Sequence, residues 1–413
     1  MSIEVLEGWQ VKPLSKLCAE VIERVDPAAM NGDLGRHYLG LEHIGQGTGQ
    51  LEGVGDASDV VSQKSRFHAG DILFGKLRPN LRKVARPDFG GVCSTDIIVL
   101  RARPNADPAF LFQVLQSEPV VAHAVATAAG TKMPRTHARS ILSFEIAMPS
   151  LDEQRRIAEV LGSVDEAIVA TEIVHAAAIR AQAATFAVFL ASGNKVDGTA
   201  IEGWTTGKIS GIEHLPVGWQ IVRLVDVARL ESGHTPDRKK SEYWDGGDIE
   251  WISLHDTQNL ERTDIYRTEM QITQAGLDNS SARLLPIGTV CFSRTATVGK
   301  CVVMAKKMAT SQDFANFVCS SKLNNRYLLH LMRWMQPVWK QLASGSTHKT
   351  IYMPTFKALQ IILPPRDKQD QIVEVMDGYI DFIEEQTAAL ASLRSLKQSL
   401  MFDLLSGRVR VPG

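Results

Sequence analysis

A heptad seam that occurs twice constrains this chain more than any other feature. Ile157, Leu161, Val164, Ile168, Thr171, His175, Ala178, Gln182, Thr185 and Phe189 follow one another in alternating steps of four and three, the spacing of a coiled-coil seam. Adding 215 to each number gives Ile372, Met376, Tyr379, Ile383, Gln386, Leu390, Leu393, Lys397, Leu400 and Leu404, with no insertion or deletion. One narrow apolar stripe needs a second helix to cover it, and the duplicate supplies that helix within the same chain. Each apolar seam residue buried contributes roughly 1.5–3 kcal/mol. Thr171, Gln182, Gln386 and Lys397 weaken the seam but fix its register. Pseudo-twofold repeats make the pair antiparallel, and about 34 residues at ~1.5 Å each give a spacer on the order of 50 Å.

The residues ahead of each helix are duplicated too. GWQVKPLSKL from Gly8 matches GWQIVRLVDV from Gly218, each a Trp followed by a short alternating strand. A strand over Tyr38–Leu41 corresponds to one over Ile249–Leu254. GDILFGKLRPN from Gly70 and IGTVCFSRTATVGK from Ile287 are strands running into basic loops, and Cys93–Ala102 is a buried strand paralleled by SQDFANFVCSS. Helical periodicity covers Pro108–Ala128 and Asn325–Leu342, ending near Gly130 and Gly345. A last strand, FEIAMPS or LQIILPP, leads into each long helix, where Asp152 and Asp367 suit the macrodipole. Gly193 and Gly407 are the expected helix stops. The fold class expected is α+β: two similar mixed globular blocks separated by an intramolecular antiparallel two-helix coiled coil. The boundaries expected are 1–150, a first long helix over 151–192, a linker over 193–214, a second block over 215–365, and a second long helix with tail over 366–413.

Composition excludes several classes. No apolar run approaches the roughly 20 residues that span a bilayer, and MSIEVLEGWQ does not read as a secretory leader. The five cysteines are odd in number and never spaced as CxxC, so reduced thiols in a cytoplasm are expected, without a disulfide framework or zinc site. The net charge of −1 conceals segregation. From Phe314 to Arg366 there is no Asp or Glu, and between Lys64 and Arg103 nine Lys and Arg face only Asp71, Asp88 and Asp96. The second long helix instead opens with Asp367, Asp370, Glu374, Asp377, Asp381, Glu384 and Glu385 against Lys368. Basic blocks point to a polyanion, and acidic helix starts to a different partner.

Active-site motifs are missing: there is no phosphate-binding GxxxxGK[ST], no GxSxG, no HExxH, and no Asn/Asp-Pro-Pro-aromatic motif. His255-Asp256 and His348-Lys349 fit polar loops better than catalysis. The basic loops suit DNA. Lys76, Arg78, Arg82 and Lys83 follow one strand; Arg294, Thr295, Thr297 and Lys300 follow its counterpart. Thr131, Lys132, Arg135 and His137 in one block, and Thr235, Ser346, Thr347, His348 and Lys349 in the other, add hydroxyls and cations. Such groups bind phosphates and base edges. Trp9 and Trp219 read as core anchors, while Trp244 and Trp251 fit either core or stacking.

These residues carry a family resemblance over the whole chain. SGHTPDRKKSEYWDGGDIEWIS resembles the entry of target-recognition domains in the specificity (S) subunits of type I restriction–modification systems. AMPSLDEQRRIAEVL and LPPRDKQDQIVEVM are similar to that family's P-L-x-E-Q-x-x-I junction, and MFDLLSGRVRV to its ending. The second junction, Asp367-Lys368-Gln369, keeps only the Gln, and the first block lacks a counterpart of the Gly233–Pro236 turn and of Tyr243-Trp244. The resemblance implies a non-catalytic subunit whose two blocks each read half of a split DNA site, with the coiled coil fixing the gap. It implies two methyltransferase (M) subunits and two restriction (R) subunits as partners. No cofactor is expected on this chain; the complex is expected to use S-adenosylmethionine, with ATP and Mg for restriction. The alternatives are a DNA-binding scaffold, or a nuclease or methyltransferase with an unrecognised active site.

Overall fold

A computed structural model describes residues 8–26, 37–191, 215–344 and 350–411. The chain divides into two compact units, one of Met1–Ile173 with Thr387–Gly413, the other of Val174–Gln386. The expected linker 193–214 and the loop residues Ser346, Thr347, His348 and Lys349 lie outside the described residues.

The first unit contains β1 (Gln10–Pro13), β2 (Cys18–Glu20), β3 (Arg24–Val25), β4 (His37–Leu39), β5 (Gly55–Asp56), β6 (Lys64–Phe67), β7 (Ile72–Gly75), β8 (Val84–Ala85), β9 (Gly91–Cys93) and β10 (Ile97–Ala102). Then come α1 (Pro108–Gln116), α2 (Glu118–Ala126), α3 (Ala138–Leu142), β11 (Glu145–Met148) and the start of α4 (Leu151–Ala191). The second unit contains β12 (Gln220–Arg223), α5 (Leu224–Val227), β13 (Ala228–Ser232), β14 (Ile249–Ile252), β15 (Asp264–Ile265), β16 (Gln271–Ile272), α6 (Gln274–Asp278), β17 (Val290–Ser293), β18 (Cys301–Met304), β19 (Ala309–Thr310) and β20 (Phe314–Cys319). It closes with α7 (Asn325–Trp334), α8 (Gln336–Ser344), α9 (Met353–Ala358), β21 (Gln360–Leu363) and the start of α10 (Arg366–Ser406).

The sheets repeat one plan. β1 pairs antiparallel with β11, and β12 with β21, so the strand after each Trp meets the strand before each long helix. The order β2-β10-β7-β8 reappears as β13-β20-β17-β18, extended by β15. A parallel pair, β4 with β9, reappears as β14 with β19. The second sheets otherwise differ: β3-β6-β9-β4-β5 in one unit, β16-β14-β19 in the other.

Three expected elements are interrupted. Pro108–Ala128 is two helices, because Ser117 takes an extended backbone and Pro119 lacks the N–H a continuous helix needs. Pro337 sits likewise at the start of α8 and divides Asn325–Leu342. The stretch Cys93–Ala102 turns at Ser94–Asp96, splitting β9 from β10. The strands expected at Tyr38–Leu41 and Ile249–Leu254 are His37–Leu39 and Ile249–Ile252, since 3-10 turns begin at Leu41 and Leu254.

α4 and α10 are each 41 residues long. None of the twenty seam positions is exposed. In the first unit Asp165 pairs with Lys397 at 2.5 Å and Glu172 with Arg394 at 2.7 Å; in the second the Thr185 and Tyr379 hydroxyls meet at 3.1 Å. Numbers rise on one helix as they fall on the other, so the pair is antiparallel. Ile157, Leu161 and Leu404 belong to the same core as Trp9, Leu14 and Phe110. Phe186, Leu190, Ile372 and Met376 join Tyr327, Trp339 and Phe317. Gly407, at φ 78°, provides the left-handed residue that ends α10.

By length and composition Leu151–Leu190 is apolar enough to cross a bilayer, although it contains no unbroken apolar run of the length a span needs. Alanines between seam residues raise its hydropathy, while isolated charges break every run. The five cysteines are free thiols. Burial pushes Cys18, Cys93 and Cys319 up to about 12 and Cys301 to about 11, so they stay protonated.

Candidate nucleic-acid interface

In both units a tripeptide that connects the two sheets gathers the basic loops. Ser94-Thr95-Asp96 leads into β10, and Ser311-Gln312-Asp313 into β20. Each serine N–H reaches back to the parallel partner strand, Ser94 to the Leu39 carbonyl at 2.9 Å and Ser311 to that of Ile252 at 2.8 Å. Each third residue accepts from the first residue of the basic loop: Lys76 N–H donates to the Asp96 carbonyl at 2.8 Å, Arg294 N–H to that of Asp313 at 2.9 Å.

The side chains of those cations complete the frame. Lys76 Nζ donates to the Thr95 carbonyl at 2.9 Å, and Arg294 Nη2 to the Gln312 carbonyl at 2.6 Å. The carbonyls of Lys76 and Arg294 accept from Thr136 at 3.0 Å and Ile351 at 2.9 Å, which draws in the loop ahead of α3 or α9. Arg135 binds the Asp96 carboxylate at 2.9 Å; the Thr295 hydroxyl donates to that of Asp313 at 2.8 Å. Thr235 Oγ1 donates to Gln312 Oε1 at 2.6 Å, adding the loop after β13. Gly233 allows that approach: a Cβ there would stand 2.2 Å from the Thr310 carbonyl oxygen.

The candidates therefore separate by chemistry. Lys76, Arg135, Arg294, Thr295 and Thr235 hold the frame. Lys83 donates to the carbonyls of Leu41 and Ile44, both at 2.7 Å. Lys300 pairs with Glu261 at 2.6 Å, Arg82 with Glu118, and Thr297 with Ser293 at 2.8 Å. Arg78, Thr131, Lys132 and His137 are exposed and free of internal side-chain bonds among the described residues. Asp96, Asp313 and Gln312 escape a search for cations; the S-x-D tripeptide repeated ahead of matching strands is the signal that finds them.

Other candidates resolve structurally. Trp9 is buried and donates from Nε1 to Glu153 Oε2 at 3.1 Å, while Trp219 packs partly buried on the second core. Trp251 is fully buried and stacks edge-on with Trp244, 5.1 Å between centroids. Asp256 does not hold the His255 ring: its carboxylate accepts from the Ser253 and Glu269 backbone at 2.9 and 2.8 Å, and burial holds it above the usual carboxylate range. Among the acidic helix starts, Asp377 binds Arg326 and His330, and Asp370 binds Asn324 and Arg366. Asp367, Glu374, Asp381, Glu384 and Glu385 remain exposed.

A profile of the type I restriction modification DNA specificity domain matches residues 38–175 and, a second time, 216–393. The chain belongs to this family. Similar curated proteins include the MjaIX specificity subunit of Methanocaldococcus jannaschii, 31% identical over 44% of this chain and 43% of that one. The HindI specificity subunit of Haemophilus influenzae is 23% identical over 86% of this chain and 90% of its own. Among solved structures, the type I system S subunit from M. genitalium has a TM-score of 0.60 at 12% identity, covering 98% of this chain and 97% of that one. A chain from a structure of type I R-M complex assembly and conformational transition has a TM-score of 0.59 at 24% identity, covering 99% and 100%. These likenesses extend the fold over the full length. A specificity subunit of this family supplies DNA sequence recognition and is not itself the catalyst.

Proposed function

We propose that each unit reads one half of a bipartite DNA target and that the helix pair sets the number of base pairs between the halves. The observation that carries this reading is the loop frame around Asp96, rebuilt around Asp313 with the same backbone hydrogen bonds. Two equivalent frames with different exposed residues suit two half-sites of different sequence. The exposed acidic residues at the start of α10 offer a dock for methyltransferase subunits. In that reading two M subunits bring S-adenosylmethionine and adenine chemistry, and two R subunits bring ATP- and Mg-dependent restriction. The setting is the cytoplasm, and this chain itself holds no cofactor.

Genome-wide mapping of methylated adenine, in cells with and without this chain, tests the reading. A bipartite motif that vanishes with the chain is expected; a motif that persists overturns it. DNA binding by the chain with its partners is expected to weaken steeply with salt, as phosphate contacts demand.

A further inference from the structure

The two loop frames share a backbone conformation that their residue types do not favour. Among the described residues three non-glycine positions have positive φ: Arg78 at 51°, Arg82 at 51° and Ala296 at 52°. All three are in the loops after β7 and β17. Arg78 and Ala296 are the same position: each stands two residues beyond the cation, Lys76 or Arg294, that binds the S-x-D turn. A Cβ crowds the backbone in the left-handed region, so glycine or asparagine is the usual occupant. At the other left-handed position of this loop the second unit does use glycine, Gly299 at φ 94°, before Lys300. At 78 and 296 neither unit does.

The surroundings impose this conformation. Arg78 N–H donates to the Pro134 carbonyl at 2.8 Å, its carbonyl accepts from Leu81 at 2.9 Å, and the next residue, Pro79, is buried. Pro79 also narrows what Arg78 can adopt. Ala296 is fixed between Thr295, bonded to Asp313, and Thr297, bonded to Ser293. Both side chains are exposed, and the Arg78 guanidinium has no internal partner among the described residues. Strain kept at one position in two copies, with a side chain retained in both, marks a residue held for what it presents outward.

We propose that this position is a specificity-determining one and that Arg78 reads a guanine in the half-site of the first unit. A guanidinium is the fork that matches guanine O6 and N7 in the major groove, while the methyl of Ala296 suits an apolar contact such as the thymine methyl. The inference rests on the DNA-reading function above. It separates Arg78 from Lys76, Arg82, Lys83 and Arg135, whose charged groups bond to other residues of the chain.

The test uses the full chain with its methyltransferase partners, mapping methylated motifs and measuring competition between duplexes that differ at one base pair. Arg78→Ala is expected to lose about 10- to 100-fold discrimination at one G·C position of one half-site and to leave the other half-site unchanged. Arg78→Gly is expected to lose the same discrimination while raising the melting temperature, because glycine relieves the left-handed strain. Uniform weakening on every duplex, with the salt slope reduced by about one, would mean a phosphate contact and overturn the proposal. So would an unaltered motif. If the unsubstituted chain directs no bipartite motif, the DNA-reading function fails instead, whatever Arg78 does.

Discussion

Gln154 accepts a hydrogen bond from the backbone N–H of Asp107 at 2.9 Å, and Gln369 accepts one from Asn324 at 2.8 Å. Asp107 and Asn324 are the N-caps of α1 and α7. Each glutamine also donates back to the proline carbonyl ahead of its own helix, Pro149 at 3.1 Å and Pro364 at 2.8 Å. Both amides are buried, so the glutamine that the two junctions share is the residue that locks each long helix to its globular block. Gln154→Ala or Gln369→Ala is expected to cost about 2–4 kcal/mol, from buried polar groups left without partners. Urea unfolding followed by hydrogen exchange in each unit checks this, and a loss confined to noise would remove the lock.

Glu153 is buried, accepts from the Trp9 indole, and binds Arg410 through both carboxylate oxygens at 2.6 and 2.9 Å. Arg410→Ala leaves a buried carboxylate without its cation and is expected to lower the urea midpoint. Adding Glu153→Gln is expected to restore part of the loss, since the uncompensated charge is then gone. A double variant no more stable than Arg410→Ala would count against the clamp.

Leu161 lies fully buried in the seam, whereas Ile173, on the same helix, is 63% exposed. Truncation to alanine is expected to cost about 2–5 kcal/mol at Leu161 and within about 0.5 kcal/mol at Ile173. Equal losses by thermal unfolding would contradict the seam assignment.

Removing one matched heptad from α4 and α10 shortens the helix pair by roughly 10 Å. At ~3.4 Å of duplex rise, the gap between half-sites is expected to shrink by about three base pairs, with both half-sites retained. Methylation mapping reads the gap directly, and an unchanged gap would end the ruler idea.

Glu250 provides the pH-dependent case. Burial pushes its carboxyl up, but bonds from Lys306, the Thr268 hydroxyl and backbone, and Gln271 outweigh that and hold it at about 2. A depressed folded-state pKa stabilises above the unfolded value, near 4.3, and the contribution is lost as pH falls toward about 2. The second unit is therefore expected to lose stability across that window. Glu250→Gln is expected to be less stable at neutral pH and flatter below pH 4, measured by thermal unfolding against pH.

The sequence by itself determined the helix pair, its register and the duplication. Seam spacing is a local periodicity, and repeated strands align by eye because each carries its own alternation. Roles within the loops were decided only by the tertiary structure. Cations such as Lys83 and Arg294 look alike in the chain, yet their partners lie far along it: Lys83 reaches Leu41, Arg294 reaches Gln312. No spacing rule joins residues so distant, and a charge shows its use only when the fold places an acceptor, or solvent, in front of it. Arg78 differs from the neighbouring cations in facing solvent without an internal partner among the described residues. Its left-handed backbone follows from bonds to Pro134 and Leu81, not from any preference of arginine.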